Sequence, residues 1–143
     1  MSFDLKLKQG DLAIGSDGDL AIVENSEKLT QEVLKILTTR IGANPFFPWY
    51  GSPIDKSLIG NAFEERFVAA VASNQVRGSL ENLQRLQEEE LKKGVLITPQ
   101  EQIAAIQDID VRRNTVDPRF YSLTLTVLSK AFTRVNTNLT VSL

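Results

Sequence analysis

The chain has 143 residues and contains no cysteine and no histidine. Without cysteine there can be no disulfide, thiol nucleophile, zinc ribbon or iron–sulfur cluster. Without histidine the usual general base near neutral pH, the Ser-His-Asp triad and the commonest metal ligand are all missing. Chemistry would fall to carboxylates, lysine, serine, threonine and tyrosine. No catalytic residue, metal ion or cofactor is expected. An excess of one charge is also lacking: 16 basic residues stand against 18 acidic ones, a net charge of −2. A phosphate-backbone binder would carry a basic excess or patch, so no nucleic-acid partner is expected. Long hydrophobic runs are absent too. The longest, Phe67 to Ala72, is far too short to span a bilayer, so no membrane partner is expected. The opening residues Met1-Ser2-Phe3-Asp4 lack the basic and apolar regions of a secretion signal. A cytosol-like compartment is expected, unless an assembly carries the chain out.

What is present suits an ordinary globular domain. The hydrophobic fraction is 42%. The length fits one domain over 1–143, able to bury about two-thirds of its unfolded surface. The predicted fold class is α+β. It comprises an N-terminal β-hairpin (1–24), a helix and Pro/aromatic segment (25–60), a helical region (61–106) and a C-terminal antiparallel sheet of about three strands (107–143).

Phe3, Leu5 and Leu7 alternate with Asp4, Lys6 and Lys8, the period of a half-buried strand. A short repeat follows: Gly10-Asp11-Leu12-Ala13-Ile14 returns as Gly18-Asp19-Leu20-Ala21-Ile22. The intervening Gly15-Ser16-Asp17 is turn-forming, and Asp17, Gly18 and Asp19 match turn chemistry far better than a calcium loop, which needs more ligands and a distal Glu. Asn25 or Ser26 then caps a helix over roughly 27–41, with Leu29, Val33, Ile36, Leu37 and Ile41 on one face and Gly42 at its C-terminal end. Residues 43–53 hold Phe46, Phe47, Trp49 and Tyr50 among three prolines. Proline excludes helix and central strand there. The segment reads as a rigid loop with Phe46 or Phe47 turned inward and Trp49 or Tyr50 partly presented to a partner, as suits interface hot spots.

A second helix is predicted over 61–93, opening on Asn61-Ala62-Phe63-Glu64 and closing at Lys92-Lys93-Gly94. Phe63, Phe67, Ala70 and Val71 form its first apolar stripe, continued by Leu80, Leu83, Leu86 and Leu91. One straight helix of that length reaches about 50 Å, so it either breaks near Gly78-Ser79 or projects past its core. Thr98-Pro99-Gln100-Glu101 signals a short third helix with Ile103 and Ile106 on its face. Alternation then predicts a hairpin of 107–113 with 120–129, and a terminal strand over 133–143 carrying Val135, Thr137, Leu139, Val141 and Leu143. Such a strand can complete its own sheet or add to another chain's sheet.

These parts, taken in order, resemble a known family. The Gly-Asp-Leu hairpin, the helix with Leu29-Thr30-Gln31 ending Leu37-Thr38-Thr39-Arg40-Ile41-Gly42, and the Pro-aromatic loop closing on Tyr50-Gly51-Ser52 look like the baseplate wedge proteins of contractile phage tails. These are also called sheath initiators, or the lysozyme-like wedge family. Gln31, Thr39, Arg40, Gly42, Pro48 and Gly51 fit the family pattern. Many members carry Glu-Pro-Arg before the C-terminal sheet; here Glu101-Gln102-Ile103 stands instead. The resemblance implies a structural protein of the virion, assembled in the host cytoplasm, with six copies in a ring around the tube and the free chain a monomer. It implies partners in the sheath subunit, other baseplate wedge proteins and tail tube or hub proteins. The terminal strand (Val135, Thr137, Leu139, Val141, Leu143) would join the sheath. Arg40, Phe46, Phe47, Trp49, Tyr50 and Glu101 would face the baseplate. Two other readings stand beside it. One is a lysozyme-like glycosidase, with Glu64, Glu65, Asp108 and Asp110 as the nearest carboxylates. The other is a cellular adaptor of the same fold, binding through the aromatic loop.

Overall fold

The computed structural model describes residues 2–54 and 64–142. Among them the chain forms β1 (Asp4–Leu5), β2 (Leu7–Lys8), β3 (Asp11–Leu12), β4 (Ile22–Val23), α1 (Asn25–Thr38), α2 (Glu65–Lys92), β5 (Ile103–Arg113), β6 (Phe120–Ser129) and β7 (Arg134–Ser142). The last three make an antiparallel sheet in the order β5-β6-β7. Both helices lie on its inner face, α2 alongside β5 and α1 against β7. Strand alternation supplies that face. Tyr121, Leu123, Leu125 and Val127 of β6 are buried, while Ser122 and Thr124 between them are exposed. Leu29, Val33, Ile36 and Leu37 of α1 close the core from above. No described helix is long and apolar enough to cross a membrane.

The N-terminal segment is antiparallel as predicted, in two short pairs (β1–β4, β2–β3) with an Ile14–Leu20 bridge. Its orientation is the reverse of a half-buried strand with its apolar side inward. The polar side faces α1. Asp4 accepts hydrogen bonds from Lys35 Nζ (2.9 Å) and Gln31 Nε2 (3.2 Å). The Gln31 amide also accepts from Leu7 N (2.9 Å) and donates to Leu5 O (2.8 Å), standing in for a further strand. These polar bonds decide which side docks. At the Gly15–Asp19 turn, Asp17 Oδ1 accepts from the Asp19 N–H, which is turn chemistry.

Partial burial alone would raise the Asp4 pKa, but the Lys35 ammonium and the N–H donors outweigh it and hold the carboxyl below its ordinary 3.8. A depressed carboxylate pKa gives stability that is present above pH 3.8 and lost as pH falls through the folded value. Asp4→Asn should therefore lower the melting temperature at neutral pH by only a few degrees, because the pair is partly open to solvent and screened by it. In thermal melts the gap to wild type should close in acid. A gap that stays constant with pH would disprove the ion pair's part.

α1 ends earlier than predicted. The Thr38 and Thr39 hydroxyls bond the carbonyls of Leu34 and Lys35, and the backbone at Thr39 turns extended. Arg40 then pairs in parallel with Ser52, so Gly42 lies in a later turn and Ile41 outside the helix. The helix is flanked by Glu24, without a side-chain cap from Asn25 or Ser26. Its partner α2 is continuous through Gly78-Ser79. The Ser79 hydroxyl is buried and donates to carbonyls of Gln75 (3.0 Å) and Gly51 (3.1 Å), docking the preceding loop without breaking the helix. Its buried stripe is Val68, Ala72, Val76, Leu80, Leu83 and Gln87. Phe67 and Ala70 are exposed, so the first part of the stripe is turned by one residue from the predicted one; Leu80 and Leu83 are buried as predicted, Leu86 packs against the core, and Leu91 is exposed. Asn61, Ala62 and Phe63 lie outside the described residues.

The third helix reduces to a single 3-10 turn, Pro99–Glu101, with the predicted capping box in place. The strand begins at Ile103 instead of 107. Ile103 and Ile106 look helical because β5 shifts register between Ile103 and Ala105 and again between Ile106 and Asp108, before the strand alternates regularly from Ile109. Each bulge adds one residue and turns a period of two into three.

Candidate functional site

The three-stranded sheet has two outer edges, and they are built differently. The β5 edge is closed at both ends by side chains of α2. Gln87 Oε1 accepts from Ile103 N (2.9 Å), and Glu65 Oε1 accepts from Arg113 N (3.0 Å). Between them stand two register shifts and the charged pair Asp110–Arg112 at 2.7 Å. Bulges, charges and a covering helix are the devices that keep a further strand off an edge.

Among the described residues, the β7 edge carries no register shift, no ion pair and no helix side chain bonded to its main chain. β7 pairs with β6 without a shift from Phe120↔Ser142 to Leu128↔Arg134. Among the described residues, no backbone hydrogen bond reaches β7 from its other side. The Ser129 N–H donates to Thr133 O, and this fixes the alternation. Residues 135, 137, 139 and 141 turn their backbone groups to β6. Asn136, Asn138 and Thr140 turn theirs outward, and their side chains are exposed as well. Apart from Arg134 at its start, the strand is uncharged.

Side chains on the other face of β7 are committed inward. Val135 and Thr137 are buried, and Leu139 and Val141 pack against the core. A strand added at this edge would pair with main chain beside the Asn/Thr row on one face, and on the other would neighbour the half-buried Leu139 and Val141. Thr137 Oγ1 is buried without a hydrogen-bond partner among the described residues. Leu143 lies outside the described residues.

A solved structure shares this fold. The chain is similar to a Geobacter sulfurreducens protein provisionally described as a tail lysozyme, with a TM-score of 0.61 over 86% of this chain and 96% of that one. The identity is 17%, so the likeness concerns the fold. No protein-family model matches the chain, and no curated protein matches it.

The remaining predicted positions fall in three places. Arg40 joins the edge. It lines a groove of about 400 Å³ together with Leu37, Ser52, Ile54, Leu139 and Val141 at the far end of β7. Gly51 makes the return of the chain to Arg40 feasible. Its φ is +120°, and a Cβ there would lie 2.6 Å from Thr39 O.

The aromatic loop forms a second place, against α2. Asn44 Oδ1 accepts from the N–H groups of Phe46 and Phe47 (3.0 and 3.3 Å), a turn that throws both rings outward. Phe46 is 86% exposed and Phe47 45%, so neither is the inward anchor. Tyr50 takes that position against the core. Phe47 and Trp49 meet edge to face at 5.7 Å and border a groove of about 330 Å³ with Asn82, Arg85, Leu86 and Glu89 of α2.

Glu101 is in the interior, fully buried. Its carboxylate accepts from Thr98 N (3.0 Å) and Asn25 N (3.3 Å), tying the 3-10 turn to the start of α1. Lys28 Nζ lies 3.9 Å from it and 3.6 Å from Glu32. Gln87 bridges the same cluster, with Nε2 donating to Glu32 Oε2 (3.0 Å) and Glu101 O (2.8 Å). Burial raises the Glu32 pKa, with the Gln87 amide and Lys28 opposing it. This polar knot joins α1, α2 and β5, and sequence reasoning reached only its Glu101. Gln87 could have been found from its position at helical spacing after Leu80 and Leu83.

The carboxylates considered for glycosidase chemistry are scattered. Glu64 is exposed at the start of α2, Glu65 holds Arg113 N, Asp108 is exposed and Asp110 pairs with Arg112. None of them lines either groove.

Proposed function

We propose that this chain is a structural component of a contractile phage tail, a baseplate wedge protein that initiates the sheath. Its β7 edge would receive a strand from the first ring of sheath subunits. The contrast between the closed β5 edge and a β7 edge left open among the described residues carries this reading, since strand addition needs an unobstructed row of main-chain donors and acceptors. The shared fold with a protein described as a tail lysozyme supports the tail setting. Six copies would stand in a ring around the tube. The aromatic loop and Arg40 would meet other wedge, tube or hub proteins, and Glu101 would act from within by fixing the turn before the sheet. The role is one of assembly without turnover, and the protein would reside in the virion after assembly in the host cytoplasm. Tails assembled without this chain should show tubes lacking ordered sheath by electron microscopy. Complete sheath rings on such tails would overturn the proposal.

A further inference from the structure

The outward side of the N-terminal β unit is apolar throughout. Cross-strand pairing places Leu5 opposite Ile22, Leu7 opposite Leu12 and Ile14 opposite Leu20, and Phe3 continues the row. All seven side chains are exposed, from 37% for Leu5 to 72% for Ile14. The two copies of the Gly-Asp-Leu-Ala-Ile repeat supply four of them. Asp4, Lys6 and Val23 point the other way, towards α1, so no charge interrupts the face.

We infer that this face is the contact surface of a homodimer, in which two copies stack their N-terminal β units in the free protein. The seven side chains leave roughly 600–700 Å² open, which approaches the ~800 Å² per partner of a standard interface and exceeds the largest patch of many monomers. A face without charge can meet its own copy without like-charge repulsion. The pairing is isologous, with each residue serving both sides of a two-fold axis. Two such sheets pack face to face at about 10 Å. Nothing in β7 is used, so this inference stands or falls apart from the sheath reading. It replaces the monomer that the family resemblance implies for the free chain.

The test is the solution mass of the full chain by light scattering across micromolar to sub-millimolar concentrations. The expected mass is twice that of one chain. Ile14→Lys combined with Leu20→Lys should return it to one chain with an unchanged circular dichroism spectrum. Val116→Lys and Phe132→Lys, at positions 91% and 85% exposed outside the face, should leave the dimer intact. Hydrogen exchange on the unmodified protein gives a readout free of folding defects: protection in residues 3–22 should rise with concentration. A single-chain mass at every concentration would overturn the inference, even if another protein is later found on this face. So would a dimer that survives the double lysine variant in a folded state.

Discussion

Gln87→Leu should cost the fold about 3–5 kcal/mol and lower the melting temperature by roughly 10–15 °C for a domain of this size. The reasoning starts from what the amide does. It accepts from Ile103 N, and it donates to Glu101 O and to Glu32. Leucine fills nearly the same space but bonds none of them. The Ile103 N–H and the Glu101 carbonyl would stay buried and unpaired, at about 1–3 kcal/mol each. Glu32, whose charge already suffers from burial, would lose the Gln87 amide and keep only the more distant help of the Lys28 and Lys35 ammoniums. Glu88→Leu, one residue on and exposed, should change stability by less than about 0.5 kcal/mol. Thermal unfolding followed by circular dichroism measures both. A Gln87→Leu loss under 1 kcal/mol would mean that the knot does not hold β5 to the helices.

The second large effect concerns assembly and should leave the fold nearly untouched. Asn138→Pro removes one N–H, and the alternation along β7 makes it an outward one, so every β6–β7 bond survives. Edge strands tolerate proline for this reason. The residue before a proline is driven to extended backbone, which Thr137 already has within β7. The melting temperature should move by no more than a few degrees. A strand arriving at the edge, however, would meet a ring where it needs a donor. Sheathed tails should be lost almost entirely when counted in electron micrographs. Ser122→Lys, on the exposed face of the central strand, should assemble normally because it touches no edge. Deleting the whole of 133–143 is a poorer experiment, because Val135 and Thr137 are buried in the core. Normal sheath on Asn138→Pro particles would remove β7 from the mechanism.

How legible this molecule is in its sequence depends on the element. β6 and β7 are read correctly because each has one buried face and a strict period of two. α1 is read correctly as a helix, while the pairing of Arg40 just past its end with Ser52, twelve residues later, has no local signal. In β5 two bulges convert alternation into a false helical spacing. Only the first part of the α2 stripe is misread, because Phe67 is larger and more apolar than Val68, yet Val68, Ala72 and Val76 are the side chains that are buried. The aromatic loop is recognisable as a loop, but Asn44 decides which rings face water. The most instructive reversal lies at the N-terminus. Periodicity separates two faces and says nothing about which is inside; here Asp4, Gln31 and Lys35 bind the polar side to the protein. Of the candidate site, the strand is legible. The difference between its edge and that of β5 is not, because it depends on contacts from α2.

The unshifted β6–β7 ladder has a mechanical side. Tension applied along β7 loads its nine successive pairs in shear, side by side, so many bonds must yield together. Tension applied across the strand would peel them one at a time. A partner strand laid on the outer edge of β7 would pull along the same axis. The sheet is thus strongest in the direction in which an attached filament would draw on it, and weakest in the direction from which a new strand arrives.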